Sequence, residues 1–173
     1  EERYREIPLG QTEILPGLKI TAVHAGHIHG ATSFIIHTEN DNALLMTDTC
    51  FHDTVLLKKA DMLSTTLPKH LLPDRVLNTD LTYGEENGKN YASEFDKLKN
   101  QVIKTAINGG KVLIPSFMIE RGQNAIIGLV EELKKYGIPI YADGGTRKVF
   151  DVLQASDWSD KEMVTLYIYA DDE

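Results

Sequence analysis

The first half of the chain alternates apolar and polar residues, and the second half repeats apolar residues at helical spacing. Leu18, Ile20 and Ala22 alternate with polar neighbours, which predicts a half-buried strand over residues 18–23. Residues 33–38 read as a second strand and residues 43–47 as a third, with Glu39-Asn40-Asp41-Asn42 supplying the turn between them. Those two strands are predicted to form an antiparallel hairpin. A short helix is predicted over residues 54–63, and one more strand over residues 75–79, ending at Asp80.

Beyond that strand the period changes from two to about 3.6. Ala92, Phe95, Leu98, Val102, Ile103 and Ala106 share one face of a helix predicted over residues 91–108, which Gly109-Gly110 ends. Residues 111–114 read as a short buried strand. A second helix over residues 121–136 turns Ala125, Ile126, Leu129, Val130 and Leu133 inward and stops at Gly137. Residues 138–142 read as the next strand, 147–153 as a third helix, and 163–169 as a last strand in an acidic tail. This order predicts an α/β chain whose second half is a parallel sheet with right-handed crossovers. The change of style near residues 84–90, rich in Gly, Asn and Glu, divides the chain into residues 1–85 and 86–173. There is no internal repeat and no low-complexity segment.

Composition narrows the class. The 173 residues are 42% hydrophobic and 25% charged, a globular balance. The formal net charge of −8 argues against a protein that coats nucleic acid with a basic face. It leaves room for an enzyme that meets phosphate through bound cations. No apolar run approaches the roughly 20 residues of a membrane helix, so no membrane contact is expected. The opening Glu1-Glu2-Arg3-Tyr4 is not a secretory signal. A single cysteine, Cys50, excludes an internal disulfide and favours a reducing, cytoplasmic setting.

Chemistry gathers in three places. His24-Ala25-Gly26-His27-Ile28-His29-Gly30-Ala31 follows a strand directly and carries three of the six histidines. Neutral imidazole is the commonest metal ligand, and the small residues around His27 leave backbone room for a metal or ligand to approach. In Met46-Thr47-Asp48-Thr49-Cys50-Phe51-His52-Asp53, Asp48 sits at a strand end and is a candidate oxygen ligand for zinc or another divalent ion. Asp53 reads instead as an Asx turn or the cap of the helix near Thr54, Cys50 as a small buried hydrophobe and His52 as a surface residue. Asp80, closing another strand in Asn78-Thr79-Asp80-Leu81-Thr82-Tyr83-Gly84, could accept a hydrogen bond from a metal-ligating histidine. His37, His70, Asp74 and Asp143 read as ordinary strand, loop or cap residues.

In order and spacing these groups resemble the β-CASP family of metallo-β-lactamase-fold ribonucleases, which includes the cleavage and polyadenylation endonuclease subunit, its archaeal relatives and ribonuclease J. Ala25-Gly26-His27-Ile28-His29-Gly30-Ala31 matches the family's Ala-Gly-His-x-x-Gly-Ala. Met46-Thr47-Asp48 stands where the family has Thr-Gly-Asp, and Asp80-Leu81-Thr82-Tyr83-Gly84 where it has Glu-Ser-Thr-Tyr-Gly. Gly109-Gly110-Lys111-Val112-Leu113-Ile114-Pro115-Ser116-Phe117 with Arg121-Gly122-Gln123 matches the opening of the β-CASP insertion, and 137–144 its next strand. The resemblance covers roughly residues 8–150.

It implies a partial αββα metallo-β-lactamase sandwich over residues 1–85 and a partial β-CASP α/β domain over 86–173. It implies a zinc-dependent hydrolase of RNA phosphodiesters, with two zinc ions in the complete family site. His27 and Asp48 would be metal ligands, with Asp48 bridging the two ions and sharing a catalytic role with Asp80. His24 and His29 would be extra ligands, and Arg121 would bind substrate, helped by Lys111, Arg147 and Lys148. Four departures stand out. The family's His-x-His-x-Asp-His motif and its later histidines are absent, Thr47 replaces the usual Gly before Asp48, and His29 replaces an aliphatic residue. The expectation is therefore an internal portion of a longer polypeptide, or a chain whose metal site a second chain or a homodimer completes. The alternatives are a non-catalytic family member acting as an RNA-binding or scaffold subunit, and a metallo-β-lactamase-fold hydrolase of a small substrate.

Overall fold

The computed structural model describes residues 6–155. Among the described residues the contacts divide into two compact units, one of residues 6–53 and 57–87, the other of residues 54–56 and 88–155. The predicted strand at 163–169 lies outside the described residues.

The first unit is built on one five-stranded sheet. Its strands are β1 (Gly10–Leu15), β2 (Leu18–His24), β3 (Thr32–His37), β4 (Asn42–Met46) and β5 (Arg75–Asn78), in that spatial order. The first four pair antiparallel and β5 pairs parallel to β4. The predicted hairpin of 33–38 and 43–47 is the β3–β4 pair. Strand β1 has no counterpart in the sequence reading. Its Gln11, Thr12 and Glu13 are polar, and it holds its place as an edge strand through the ladder to β2 rather than through an apolar face. Gly17 closes the β1–β2 turn at φ 79°, a conformation that the Pro16-Gly17 pair suits.

Cross-strand partners share a face of a sheet. The register Thr21↔Ile35 and Ile35↔Leu44 therefore puts Val23, Ile35 and Leu44 together, and these buried residues form the core with Met46, Leu63 and Leu67 packed on them. On the same face, His37 bridges strands. Its Nδ1 lies 2.6 Å from Asn42 Oδ1, and its Nε2 lies 2.7 Å from the buried Thr21 hydroxyl. Asn42 donates its amide to the His70 and Leu72 carbonyls, so its oxygen faces the ring and Nδ1 carries the proton.

The helix predicted over 54–63 does not form. Only a single turn, α1 (Leu63–Thr66), follows at its far end. The donors and acceptors that a helix would use are taken elsewhere. Lys59 N–H donates to Asp53 Oδ1, Ala60 N–H to the Cys50 carbonyl and Asp61 N–H to the His24 carbonyl. Leu56 N–H donates to Asn124 Oδ1 in the second unit. Asp53 thus caps a loop and not a helix. The Lys59 N–H first, then the charges of Lys58, Lys59 and His52, hold its carboxyl below the usual 3.8.

The second unit has three long helices, α2 (Tyr91–Ile107), α3 (Arg121–Lys135) and α4 (Gly144–Ala155). Asn90 caps α2 by accepting the Ser93 N–H at 2.9 Å. Val102, Leu129 and Leu133 make the core, with Phe95, Leu98, Ile103, Ile114, Ile138 and Ile140 around it. Ala92, predicted on the inner face, is exposed. Gly137, at φ 64°, ends α3 as predicted, with Ile138 N–H reaching back to the Leu133 carbonyl. Helix α4 starts three residues earlier than 147, because Asp143 Oδ1 takes the Thr146 N–H at 2.8 Å.

The predicted strands 111–114 and 138–142 join no ladder among the described residues, so the expected parallel sheet of the second half is not formed there. Ile114, Ile138 and Ile140 still pack on the helical core, but Leu113 is 88% exposed. A strand exists only through the partner that satisfies its backbone groups, and these segments have none among the described residues.

Candidate functional site

The turn from β2 to β3 carries His27. Ala25 N–H donates to the Ala31 carbonyl and Ala31 N–H to the Ile28 carbonyl, so residues 26–30 are a loop pinned at both ends. Asp48 follows β4 by two residues. Because β3 is the shared neighbour of β2 and β4, the turn after β2 and the end of β4 come out on the same edge of the sheet. His27 Nε2 and Asp48 Oδ2 lie 3.8 Å apart, with side chains 30% and 69% exposed.

Gly26 makes this arrangement possible. Its φ is 69°, and the Cys50 carbonyl and the Lys59–Ala60 peptide pack where a side chain would project. At Gly26 the room beside His27 is therefore filled by the protein's own backbone. Cys50 N–H bonds the Ala25 carbonyl at 2.9 Å, which draws the segment after Asp48 against the turn.

Asp80 lies near enough to His27 for the imidazole charge to act on it. Its own hydrogen bonds are local: Oδ1 accepts the Thr82 N–H at 3.1 Å, and its N–H donates to Asn78 Oδ1 at 3.0 Å. The Thr82 N–H, then the Thr82 hydroxyl, then the His27 charge hold its carboxyl below the usual 3.8. A depressed carboxyl pKa adds stability above 3.8 that is lost as pH falls through the folded-state value. A carbon-13 titration of Asp80 should therefore show a midpoint below 3.8. Thr82→Val, which keeps the N–H and removes the hydroxyl, should raise that midpoint part of the way. A wild-type midpoint at or above 3.8 would contradict the turn geometry.

His24 is engaged elsewhere. Its Nε2 lies 3.1 Å from the Lys58 carbonyl, which can only accept, so that nitrogen carries the proton. His29 sits in the same loop as His27 and is partly exposed. Cys50 is buried, with Sγ 3.5 Å from the ring nitrogens of the exposed His52. In the second unit Arg121 opens α3 and is exposed, as are Lys111, Arg147 and Lys148. Buried beneath the start of α3, Gln123 donates to the Met118 and Thr146 carbonyls, and Asn124 donates to Glu120. No sequence pattern marked that knot or Asp61, because single polar residues inside a loop or first helical turn carry no periodic signal.

The pair fits part of a zinc site. Bonds of about 2.0–2.2 Å place neighbouring donors of a tetrahedral ion about 3.4 Å apart, close to the observed 3.8 Å. Among the described residues no three His, Cys, Asp or Glu side chains gather as a metal cluster. Two potential donor side chains, His27 and Asp48, thus stand together at this edge of the sheet.

Fold and site together define a mixed α/β chain with a histidine–aspartate pair at the ends of its strands. No family model matches the chain. It is 25% identical over 152 residues to RNase aCSPSF2 of Saccharolobus solfataricus, covering 88% of this chain and 29% of that protein. It is 30% identical over 158 residues to the endoribonuclease ysh1 of Schizosaccharomyces pombe, covering 88% and 20%. It is 33% identical over 138 residues to the transcription termination factor FttA of Pyrococcus horikoshii, covering 76% and 20%. These similarities place the chain in the β-CASP family of metallo-β-lactamase-fold ribonucleases, as its motifs imply. The chain spans less than a third of the length of each of these relatives.

Proposed function

We propose that this chain carries part of the active site of a zinc-dependent nuclease that hydrolyses RNA. The observation that carries the reading is the 3.8 Å approach of His27 Nε2 to Asp48 Oδ2, made by two motifs of the family from different strand ends. Residues 1–85 are read as a partial metallo-β-lactamase domain and residues 86–173 as a partial β-CASP domain. His27 would hold zinc through its imidazole, and Asp48 would hold it through its carboxylate. Asp80 holds a negative charge near His27, with its Oδ1 on the Thr82 N–H. Bound zinc supplies Lewis acidity and lowers the pKa of water for phosphodiester hydrolysis. Arg121 offers a planar, permanently charged partner for an RNA phosphate. The remaining donors come from another segment of polypeptide or from a second chain, since two donors do not complete a tetrahedral ion. A cytoplasmic setting goes with this reading.

One observation favours a second reading, a scaffold or RNA-binding subunit without catalysis: no third metal donor joins the pair among the described residues. Zinc titration of the 173-residue chain, followed on the His27 ring and Asp48 carboxyl signals by NMR, separates the two. On the nuclease reading zinc moves both signals. His27→Ala or Asp48→Asn weakens zinc binding at least about hundredfold, above the loss usual for residues behind the ligands. Zinc that binds the chain and leaves both signals unmoved sinks the metal assignment. A fully zinc-loaded protein that leaves RNA intact sinks the nuclease and leaves the scaffold.

A further inference from the structure

Residues 58–61 cross the end of β2 and tie down the turn that carries His27. Three hydrogen bonds converge on His24. Its ring Nε2 donates to the Lys58 carbonyl at 3.1 Å, its backbone N–H donates to Asp61 Oδ2 at 2.8 Å, and its carbonyl accepts the Asp61 N–H at 3.0 Å. Two more bonds continue the chain of contacts, Ala60 N–H to the Cys50 carbonyl at 2.8 Å and Cys50 N–H to the Ala25 carbonyl at 2.9 Å. The strap therefore touches the backbone on both sides of the site, three residues before His27 and two residues after Asp48.

Within this strap one side chain binds strand backbone, and it is Asp61. Asp61 is partly buried and lines an open cavity of about 270 Å³ together with Val23, Ser33, Leu44, Met46 and Leu63. A carboxylate among apolar side chains is costly unless hydrogen-bonded, and a charged acceptor makes the stronger bond to an N–H. Those two facts fix the carboxylate on His24 N–H and leave it little freedom to swing away.

We propose that Asp61 is a positioning residue for the His27–Asp48 pair, acting through the backbone of His24. The proposal rests on the reading of that pair as metal ligands. The strap sets where β2 ends, and the end of β2 sets where the pinned loop presents the imidazole. Loss of the Asp61 carboxylate frees the His24 N–H and lets the turn slide relative to Asp48, while Val23, Ile35 and Leu44 keep the sheet intact.

The test compares Asp61→Ala with Asp61→Asn in the full 173-residue chain. One readout is metal-free: the NOE between the His27 ring and the Asp48 side chain. The other is the affinity for zinc alone, read on the His27 ring. Asp61→Ala should lose the NOE and bind zinc about tenfold or more weakly, with the methyl signals of Ile35 unchanged. Asp61→Asn still offers an oxygen to the His24 N–H, so it should keep the NOE and stay within about threefold of wild type. The proposal is overturned if Asp61→Ala keeps both readouts, or if Asp61→Asn loses as much as alanine does. Should the alanine variant not fold, the asparagine variant decides alone by the same two limits. Where the wild-type chain by itself binds no zinc, the NOE judges Asp61 alone.

Discussion

Replacing Gly26 by alanine should destabilise the first unit by about 3 kcal/mol or more. Two costs add. At φ 69° an L side chain pays about 1–2 kcal/mol. The new Cβ would also meet backbone on every side: the Cys50 carbonyl oxygen and the Lys59 carbonyl carbon both at 2.7 Å, and the Ala60 nitrogen closer still. None of these is the flexible end of a side chain, so the strap itself has to move, at an overpacking cost of about 1–3 kcal/mol. For a unit of this size the melting temperature should fall by about 12 °C or more. The strap bonds Ala60 to Cys50 and Asp61 to His24, so the same change should also disturb the His27–Asp48 approach. Urea unfolding of the Gly26→Ala chain checks it. A loss under about 1 kcal/mol would mean that the strap is looser than its hydrogen bonds indicate.

Ile35→Ala should cost about 3 kcal/mol, within the range seen for emptying a buried aliphatic site. Ile35 is 0% exposed at the middle of β3, between Thr21 on β2 and Leu44 on β4. It is the residue on which Val23, Leu44, Met46, Leu63 and Leu67 close. The cavity left behind is walled by ladder strands on both sides, which cannot collapse inward without breaking their hydrogen bonds. Ile35→Val removes one methylene and should cost about 1 kcal/mol. Leu77→Ala on the exposed end of the same sheet should stay within about 0.5 kcal/mol. The three urea midpoints should therefore order as Leu77→Ala above Ile35→Val above Ile35→Ala. An Ile35→Ala midpoint equal to that of Leu77→Ala would remove Ile35 from the core.

Much of the first unit was legible because its signals are local. Alternation marked β2, and turn residues at 39–42 marked the β3–β4 hairpin. The carboxylates at strand ends marked Asp48 and Asp80. What failed had one physical cause in common, a dependence on partners outside the segment itself. The stretch 54–63 has helix-compatible residues, yet its N–H groups go to Asp53, Cys50, His24 and Asn124. Residues 111–114 and 138–142 have strand-like sequences, yet a strand needs a ladder partner. The polar edge strand β1 shows the converse, a ladder without an apolar pattern.

The sequence by itself determined strands β2 to β5, the three long helices and the family motifs, because periodicity and spacing are properties of neighbours along the chain. Only the tertiary structure decided how those side chains meet. It folded residues 58–61 over the end of β2, put backbone into the room beside His27, turned His24 toward a carbonyl and left Asp61 holding the strand end. Those outcomes follow from hydrogen bonds between residues ten to thirty-seven positions apart, which no local pattern encodes and which buried backbone groups require.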